Sequence, residues 1–341
     1  MRLVSKMTNG TVIEINTTGT QVRFVPGTVT GGKVEHSCDT SRTVGWYLEM
    51  LLPVLPFAKR TTDLTLLGVT DGVNDDLSVD YLMSSHLPVL RSFGVGTDED
   101  SVPLQLSVPV RGFAPLGGGV VNLICPAVRT LTSATLTDPG LIKKIRGTAI
   151  TARVPATSSS RAATTAKGVF HALLPDIQIA TSTHSGKSTG PSPGMKCVLR
   201  SESTTGTVLT VEYSLCGVRE TAEDVGNAAA ALLLAEIQRG GAVDSSTSPL
   251  TFLLIAVSPE EISRVLVGVI TLAGTKTLRE IKRYTGVEMK LERKGGGVEV
   301  TGMGIGLRNT AKKVTYSTVV GGGRKEDGGR RGVGNVFGER V

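Results

Sequence analysis

The chain has 341 residues, enough for one large domain or two of ordinary size, with 37 basic against 30 acidic residues and a formal charge of +7. That balance suits a polyanionic partner without requiring one. Few aromatics accompany it, so base-stacking platforms are not evident, and contact with RNA, if it occurs, is expected to be mostly to phosphates and salt-sensitive. No apolar run approaches a membrane span, so no membrane association is expected, and MRLVSKMTNG does not read as a signal peptide. The four cysteines, Cys38, Cys125, Cys197 and Cys216, form no CxxC pair and do not cluster with the histidines. Zinc and disulfides are poorly supported, and reduced intracellular thiols are expected.

TVIEIN (11–16) and QVRFV (21–25) alternate and read as a hairpin through Thr18-Gly19. A Gly-rich strand, Gly31 to His36, leads to a helix over about 43–55. Val44, Tyr47, Leu48, Leu51 and Leu55 form its buried stripe, and Asp39, Thr40 or Ser41 its cap. Such a helix start, with Arg42 beside it, can hold a phosphate or be simply a capped core helix. DLTLLGV (63–69) is a strand. Asp75 or Asp76 is placed to cap a second helix with Leu77, Tyr81 and Leu82 inward, interrupted or kinked by Pro88. LQLSVPV (104–110) and VVNLIC (120–125) are strands joined by APLGGG. The order strand, helix, strand, helix, strand, strand is an α+β unit with helices on one face of its sheet.

From about Arg146 the composition turns small and polar. RGTAITARV is a strand, about 160–174 a helix and DIQIAT a strand. STHSGKSTGPSPG is a loop, and CVLRSE with TVLTVEYSLC a hairpin across Thr204-Thr205-Gly206. Asp224 is placed to cap a long helix closed by Gly240-Gly241. Helices follow at about 249–257, apolar all round, and 275–284. VEMKLE then pairs with GVEVTGM across Gly295-Gly296-Gly297. Beyond Lys313 the Gly/Arg-rich tail has almost nothing to bury, so disorder is expected, either as a loose RNA contact or as a solvated tail.

Several segments, in this order, carry a family resemblance: GGKVEHSC…GWYLEMLLPVLPFAKR, LTLLGVTDG, NDDLSVDYL, LPVLRSFGV, APLGGGVVNL, IRGTA, GPSPGMKCVLRSESTTGTVL, EDVGNAAAALLLAEIQRGGAVDSS and GIGLRNTAKK. Over roughly residues 7–313 the chain resembles the RNA 3′-terminal phosphate cyclase superfamily, and more closely its cyclase-like branch in eukaryotic ribosome biogenesis. The resemblance implies repeated βαβαββ-type units around a pseudo-threefold, with a small α/β insert domain. The expected division is a core over 1–145, an insert over 146–241, a second core segment over 242–313 and a tail over 314–341. It also implies that the chain starts inside the first unit, so an N-terminally incomplete sequence is expected. Implied partners are a ribosome-biogenesis GTPase, small-subunit processome proteins and pre-rRNA or small nucleolar RNA, in the nucleolus of the nucleus. No cofactor is expected.

The cyclases use a histidine that becomes adenylylated, and the resemblance places Ala273 at that position; no histidine follows His184. A methyl group cannot accept AMP. Glu49 stands where cyclases carry glutamine, and Pro249 about where they carry aspartate. Cyclase activity is therefore not expected. The branch has an Arg–acid–Lys set, proposed to cut pre-rRNA, which falls here on Arg279, Glu280 and Lys282. Glu280 would take a ribose proton and the two cations would steady the phosphate; the alternative is an exposed charged helix face. A basic strip of Lys143, Lys144, Arg146 and Arg153 is a further phosphate-binding candidate. Gly117 to Gly119 is either a phosphate cradle or a turn, and His36 an acid–base group or structural. HSGKSTG, near residue 187, lacks the leading glycine and context of a P-loop.

Overall fold

The computed structural model describes residues 1–71, 76–98, 102–215 and 220–312. Asp75, Cys216 and the Gly/Arg tail, on which three of the expectations fall, lie outside them.

The chain opens with α1 (Arg2–Met7), which the sequence reading did not anticipate and which buries Leu3 and Met7. Then come β1 (Thr8–Asn9), β2 (Val12–Ile15), β3 (Val22–Val25) and β4 (Thr28–Val29). β2 and β3 form the expected antiparallel hairpin, and β1 pairs with β4.

The first complete unit is β5 (Gly32–Ser37), α2 (Val44–Leu51), β6 (Thr62–Gly68), α3 (Val79–Ser84), α4 (His86–Ser92), β7 (Gln105–Val110) and β8 (Gly119–Cys125). Its sheet runs β5-β6-β8-β7, with β5 parallel to β6 and the other pairs antiparallel. On β6, Thr62, Leu64, Leu66 and Gly68 are buried, the period-two signature of a sheet with one covered face. α2 covers it with Val44, Leu48 and Leu51, and Leu55 continues the stripe into a short 3-10 turn.

Two caps in this unit differ from expectation. α2 is capped by Thr43, whose hydroxyl accepts from Trp46 N at 3.2 Å, whereas Asp39 turns back to Ser41 N. α3 is capped by Ser78, while Asp76 accepts from Thr43 N at 3.1 Å. The pattern around Pro88 splits at Ser85, whose backbone leaves the ideal helix (φ −118°) and lets α4 start afresh, so Pro88 sits in the first turn of α4.

After β9 (Thr135–Leu136) comes an inserted layer: β10 (Ile142–Ala152), α5 (Ala156–Phe170), β11 (Ile177–His184), β12 (Gly194–Ser203), β13 (Val208–Ser214) and α6 (Ala222–Arg239). Its sheet order is β11-β10-β12-β13, with only β10 and β11 parallel. Ile145, Ala149, Ile177, Cys197 and Leu199 face α5 and α6 in a core of their own with Ala162, Ala166, Val225, Ala229 and Leu233. α5 begins at Ala156 rather than 160, because Pro155 starts it. Asp224 is not the cap of α6 but its third residue. Thr221 is the cap, and the two side chains satisfy each other's backbone amides. Gly240, at φ 73°, closes the helix as expected.

The chain then completes the unit that β9 began: α7 (Ser248–Val257), β14 (Ile262–Val267), α8 (Leu272–Thr285), β15 (Lys290–Lys294) and β16 (Gly297–Met303). The order β9-β14-β16-β15, with β9 parallel to β14 and the rest antiparallel, repeats that of the first unit. The α+β architecture is thus one βαβαββ plan used twice, with the inserted layer between the first strand and first helix of the second copy. One apolar core spans both copies, from Leu3 and Val44 to Val265 and Val300. Asn309 ties the end of the described chain back, donating to Ala58 O (2.8 Å) and Val128 O (3.0 Å).

Candidate functional site

The alternation that turns odd-numbered residues of β10 and β12 toward α5 and α6 turns Arg146, Thr148, Lys196, Val198 and Arg200 to the other face. At the inner end of that face lies a buried charge cluster joining inserted layer and core. Lys196 is fully buried. Its ammonium binds Asp71, lies 2.5 Å from Asp80 Oδ2 and donates to Ser78 Oγ at 2.8 Å, with Glu212 at 3.9 Å. Arg111 forks onto both oxygens of Asp80, one bond measuring 2.7 Å, and lies 3.7 Å from Asp71. Ser78 donates its backbone N–H (2.7 Å) and its hydroxyl to Glu212.

Burial opposes each of these charges, but the neighbours decide the outcome. Burial disfavours the Asp80 carboxylate, yet Lys196 and Arg111 outweigh it and hold the carboxyl well below its ordinary range. Burial likewise disfavours the Lys196 ammonium, while Asp71, Asp80 and Glu212 draw its pKa upward. Glu212 goes the other way: burial raises it despite Lys196 and Ser78. No residue of this cluster was singled out in the sequence. The available signal was a lone lysine in the strand GMKCVL.

A backbone strap reinforces the junction. Arg111 N donates to Ser188 O (3.1 Å), Gly190 N to Arg111 O (2.7 Å) and Leu116 N to Ser192 Oγ (3.1 Å). A Cβ on Gly190 would lie 1.8 Å from Gly117 O. Gly117 and Gly118 therefore serve a close packing of two loops, with φ of 65° and 78°, rather than an open cradle. Lys187 belongs to a 3-10 turn boxed by Ser185 and Ser188, not to a strand-to-helix phosphate loop.

Beside the junction, Asp244 accepts from Tyr81 Oη (2.5 Å), Ser85 Oγ and Thr247 N (2.9 Å), and burial pushes its carboxyl up. His86 Nδ1 lies 3.2 Å from Thr247 Oγ1, and burial depresses His86 to about 3.

The residues picked from sequence are scattered. Arg42 is taken up by Asp76 and stacks 4.7 Å over Trp46, beside Glu49, whose carboxyl is raised by burial and then by Asp76. Lys144 pairs with Glu202 (2.7 Å), Arg146 with both oxygens of Asp176 (2.8 Å each) and Arg153 with Gly190 O (2.7 Å); Lys143 is exposed. His36 lies on β5, its pKa lowered by burial and by Lys6, with its ring 6.4 Å from Tyr47. Arg279, Glu280 and Lys282 are exposed on α8, flanking buried Ile281. Lys282 reaches Glu288 at 2.7 Å and Glu280 lies 3.8 Å from Arg283, so the three do not converge on one point. Thr271 caps α8 by accepting from Gly274 N at 3.0 Å, which sets Ala273 exposed in its first turn. Pro249 lies in the first turn of α7. Among the described residues no His/Cys/Asp/Glu group could hold a metal, and no helix is long and apolar enough to cross a membrane.

The family model for RNA 3′-terminal phosphate cyclase matches residues 1–291. The chain belongs to that family. Within it, the chain is similar to proteins called cyclase-like. It is 40% identical over 324 residues to the RNA 3′-terminal phosphate cyclase-like protein of Mus musculus and 39% identical to that of Homo sapiens, covering 92% of this chain and 86% of each relative. It is 38% identical over 320 residues, with the same coverage, to the rRNA processing protein rcl1 of Schizosaccharomyces pombe.

Proposed function

We propose that this protein is an rRNA-processing factor of the small-subunit processome, acting in the nucleolus as a binding platform rather than as a nucleotidyl transferase. The observation that carries the reading is Ala273. The position that would accept adenylate is an exposed methyl in the first turn of α8, in a chain similar to an rRNA processing protein. Its partners in this reading are a ribosome-biogenesis GTPase, processome proteins and pre-rRNA or small nucleolar RNA. The net charge of +7 suits the RNA.

The test replaces the endogenous gene with Glu280→Gln and with a null allele, and follows pre-rRNA. The null should accumulate uncleaved small-subunit precursor. Glu280→Gln should process normally, since Glu280 is an exposed member of a helix-surface pair. Cleavage of a precursor RNA by the purified protein that Glu280→Gln abolishes would replace the platform with an endoribonuclease. Covalent labelling of the protein by ATP would replace it with a cyclase-type transferase.

A further inference from the structure

Outward from the buried cluster, the open face of the inserted sheet and α3 enclose a cleft of about 420 Å³ that no role above uses. Its outer end is a row across three strands. Gln178 on β11 lies opposite Arg146 on β10, which lies opposite Arg200 on β12. Two guanidiniums facing each other across an antiparallel pair repel unless an anion lies between them or beside them. The carboxylates present stand at the flanks. Asp176 takes the two terminal nitrogens of Arg146, and Glu202, which already holds Lys144, lies 3.2 Å from Arg200 Nε.

Donors remain without acceptors. The Arg200 guanidinium has the ion pair with Glu202 and no further side-chain partner among the described residues, and the side chains of Gln178 and Thr148, the latter one row further in, make no hydrogen bond with a described residue. At the inner end Arg111, 8% exposed, also lines the cleft. Its terminal nitrogens are on Asp80, and its buried Nε–H has no partner among the described residues. The cleft thus has excess positive charge at its mouth, neutral donors between and no aromatic lining. Of the basic strip read in the sequence, only Arg146 lines it.

We propose that this cleft binds a phosphate group, held between Arg146 and Arg200 with Gln178 and Thr148 donating to it. A tetrahedral dianion or a phosphodiester offers acceptors in several directions, which suits donors from three adjacent strands; a planar carboxylate would engage one fork. Asp80 at the inner end repels an anion and keeps the phosphate at the mouth. The phosphate can come from an RNA backbone or from a small phosphorylated molecule, and the proposal does not depend on the processing role.

Binding is measured by calorimetry and fluorescence on the full chain with three probes: inorganic pyrophosphate, a single-stranded uridine decamer and a glutamate decamer. The variants are Arg200→Gln and Thr148→Val, with Lys143→Gln as control outside the cleft. At least one phosphate probe should bind and lose about tenfold in affinity in Arg200→Gln, with a smaller loss in Thr148→Val and less than about twofold in Lys143→Gln. If the decamer is the ligand, Arg200→Gln should also lower the salt slope by about one. Pyrophosphate binding without decamer binding assigns the site to small phosphorylated molecules. The proposal is overturned if neither phosphate probe binds, if Lys143→Gln loses as much as Arg200→Gln, or if the glutamate decamer binds as tightly as the phosphates with the same dependence on Arg200. Unchanged thermal midpoints in all variants exclude loss by unfolding.

Discussion

Lys196→Met tests how inserted layer and core are joined. The lysine is fully buried and faces Asp71, Asp80 and Glu212 within 4 Å, with Arg111 the cluster's other cation. Methionine keeps most of the volume and removes the charge, leaving three carboxyl groups and one guanidinium in a dry junction. Breaking a buried pair from one side costs about 3–5 kcal/mol. In urea, at a slope of about 3 kcal/mol per molar, that moves the midpoint down by roughly 1–1.7 M. The single tryptophan, Trp46, lies on α2 and reports the core, whereas far-UV circular dichroism reports both layers. In the parent both should fall together; in Lys196→Met the dichroism should begin to fall first, as the inserted layer loosens. The deficit should shrink in acid. Lys196 and Arg111 hold Asp80 below its ordinary pKa, so its contribution is present at neutral pH and lost as pH falls through the folded value, and the variant has less of it to lose. Asp71→Asn added to Lys196→Met should cost less than the sum of the two single changes. A Lys196→Met midpoint within about 0.2 M of the parent, with coincident transitions, would refute the view that this charge cluster holds the layers together.

Three further outcomes are expected. His86 has a folded pKa of about 3 against an ordinary 6.5, so its contribution is whole above pH 6.5 and is lost as the unfolded chain takes up a proton below it. Between pH 7 and pH 5 that amounts to about 2 kcal/mol. His86→Leu should remove this part of the slope in urea titrations at the two pH values, and an unchanged slope would mean that the ring is not held neutral. Gly190→Ala sets a methyl 1.8 Å from Gly117 O, against backbone that cannot swing aside, and should cost about 3 kcal/mol or more by thermal unfolding. Gly186→Ala meets no atom within 4 Å, but at φ 58° it should cost only about 1 kcal/mol.

The repeating plan was legible where one local rule decides. Period-two burial marked β6 and β8, and the glycine after α6 marked its end. Caps were legible only as neighbourhoods, because several hydroxyls and carboxylates compete and tertiary demand chooses between them. Asp76 is drawn to Arg42 and Thr43 N, so Ser78 takes the α3 cap. β9, two residues long, has no pattern of its own and exists because β14 lies beside it. The site was least legible. Lys196 is 125 residues from Asp71 and 116 from Asp80 in the sequence, and only the docking of one sheet on another loop and helix brings them together.

That docking also bears on the proposed reading of Ala273. Ala273 lies on the surface of α8 and supports nothing behind it, so its identity is free of structural constraint. Asp71, Asp80, Arg111, Lys196 and Glu212 are not free in this way, since each is buried against charges whose burial it helps to offset. In the proposed reading, a chain that performs no adenylyl transfer can therefore carry alanine at position 273 at no cost to folding. It must still keep the junction that sets the inserted sheet against α3, and with it the arginine-lined cleft that the junction creates. A platform of the kind proposed, which needs its two layers in fixed relation, would have this combination.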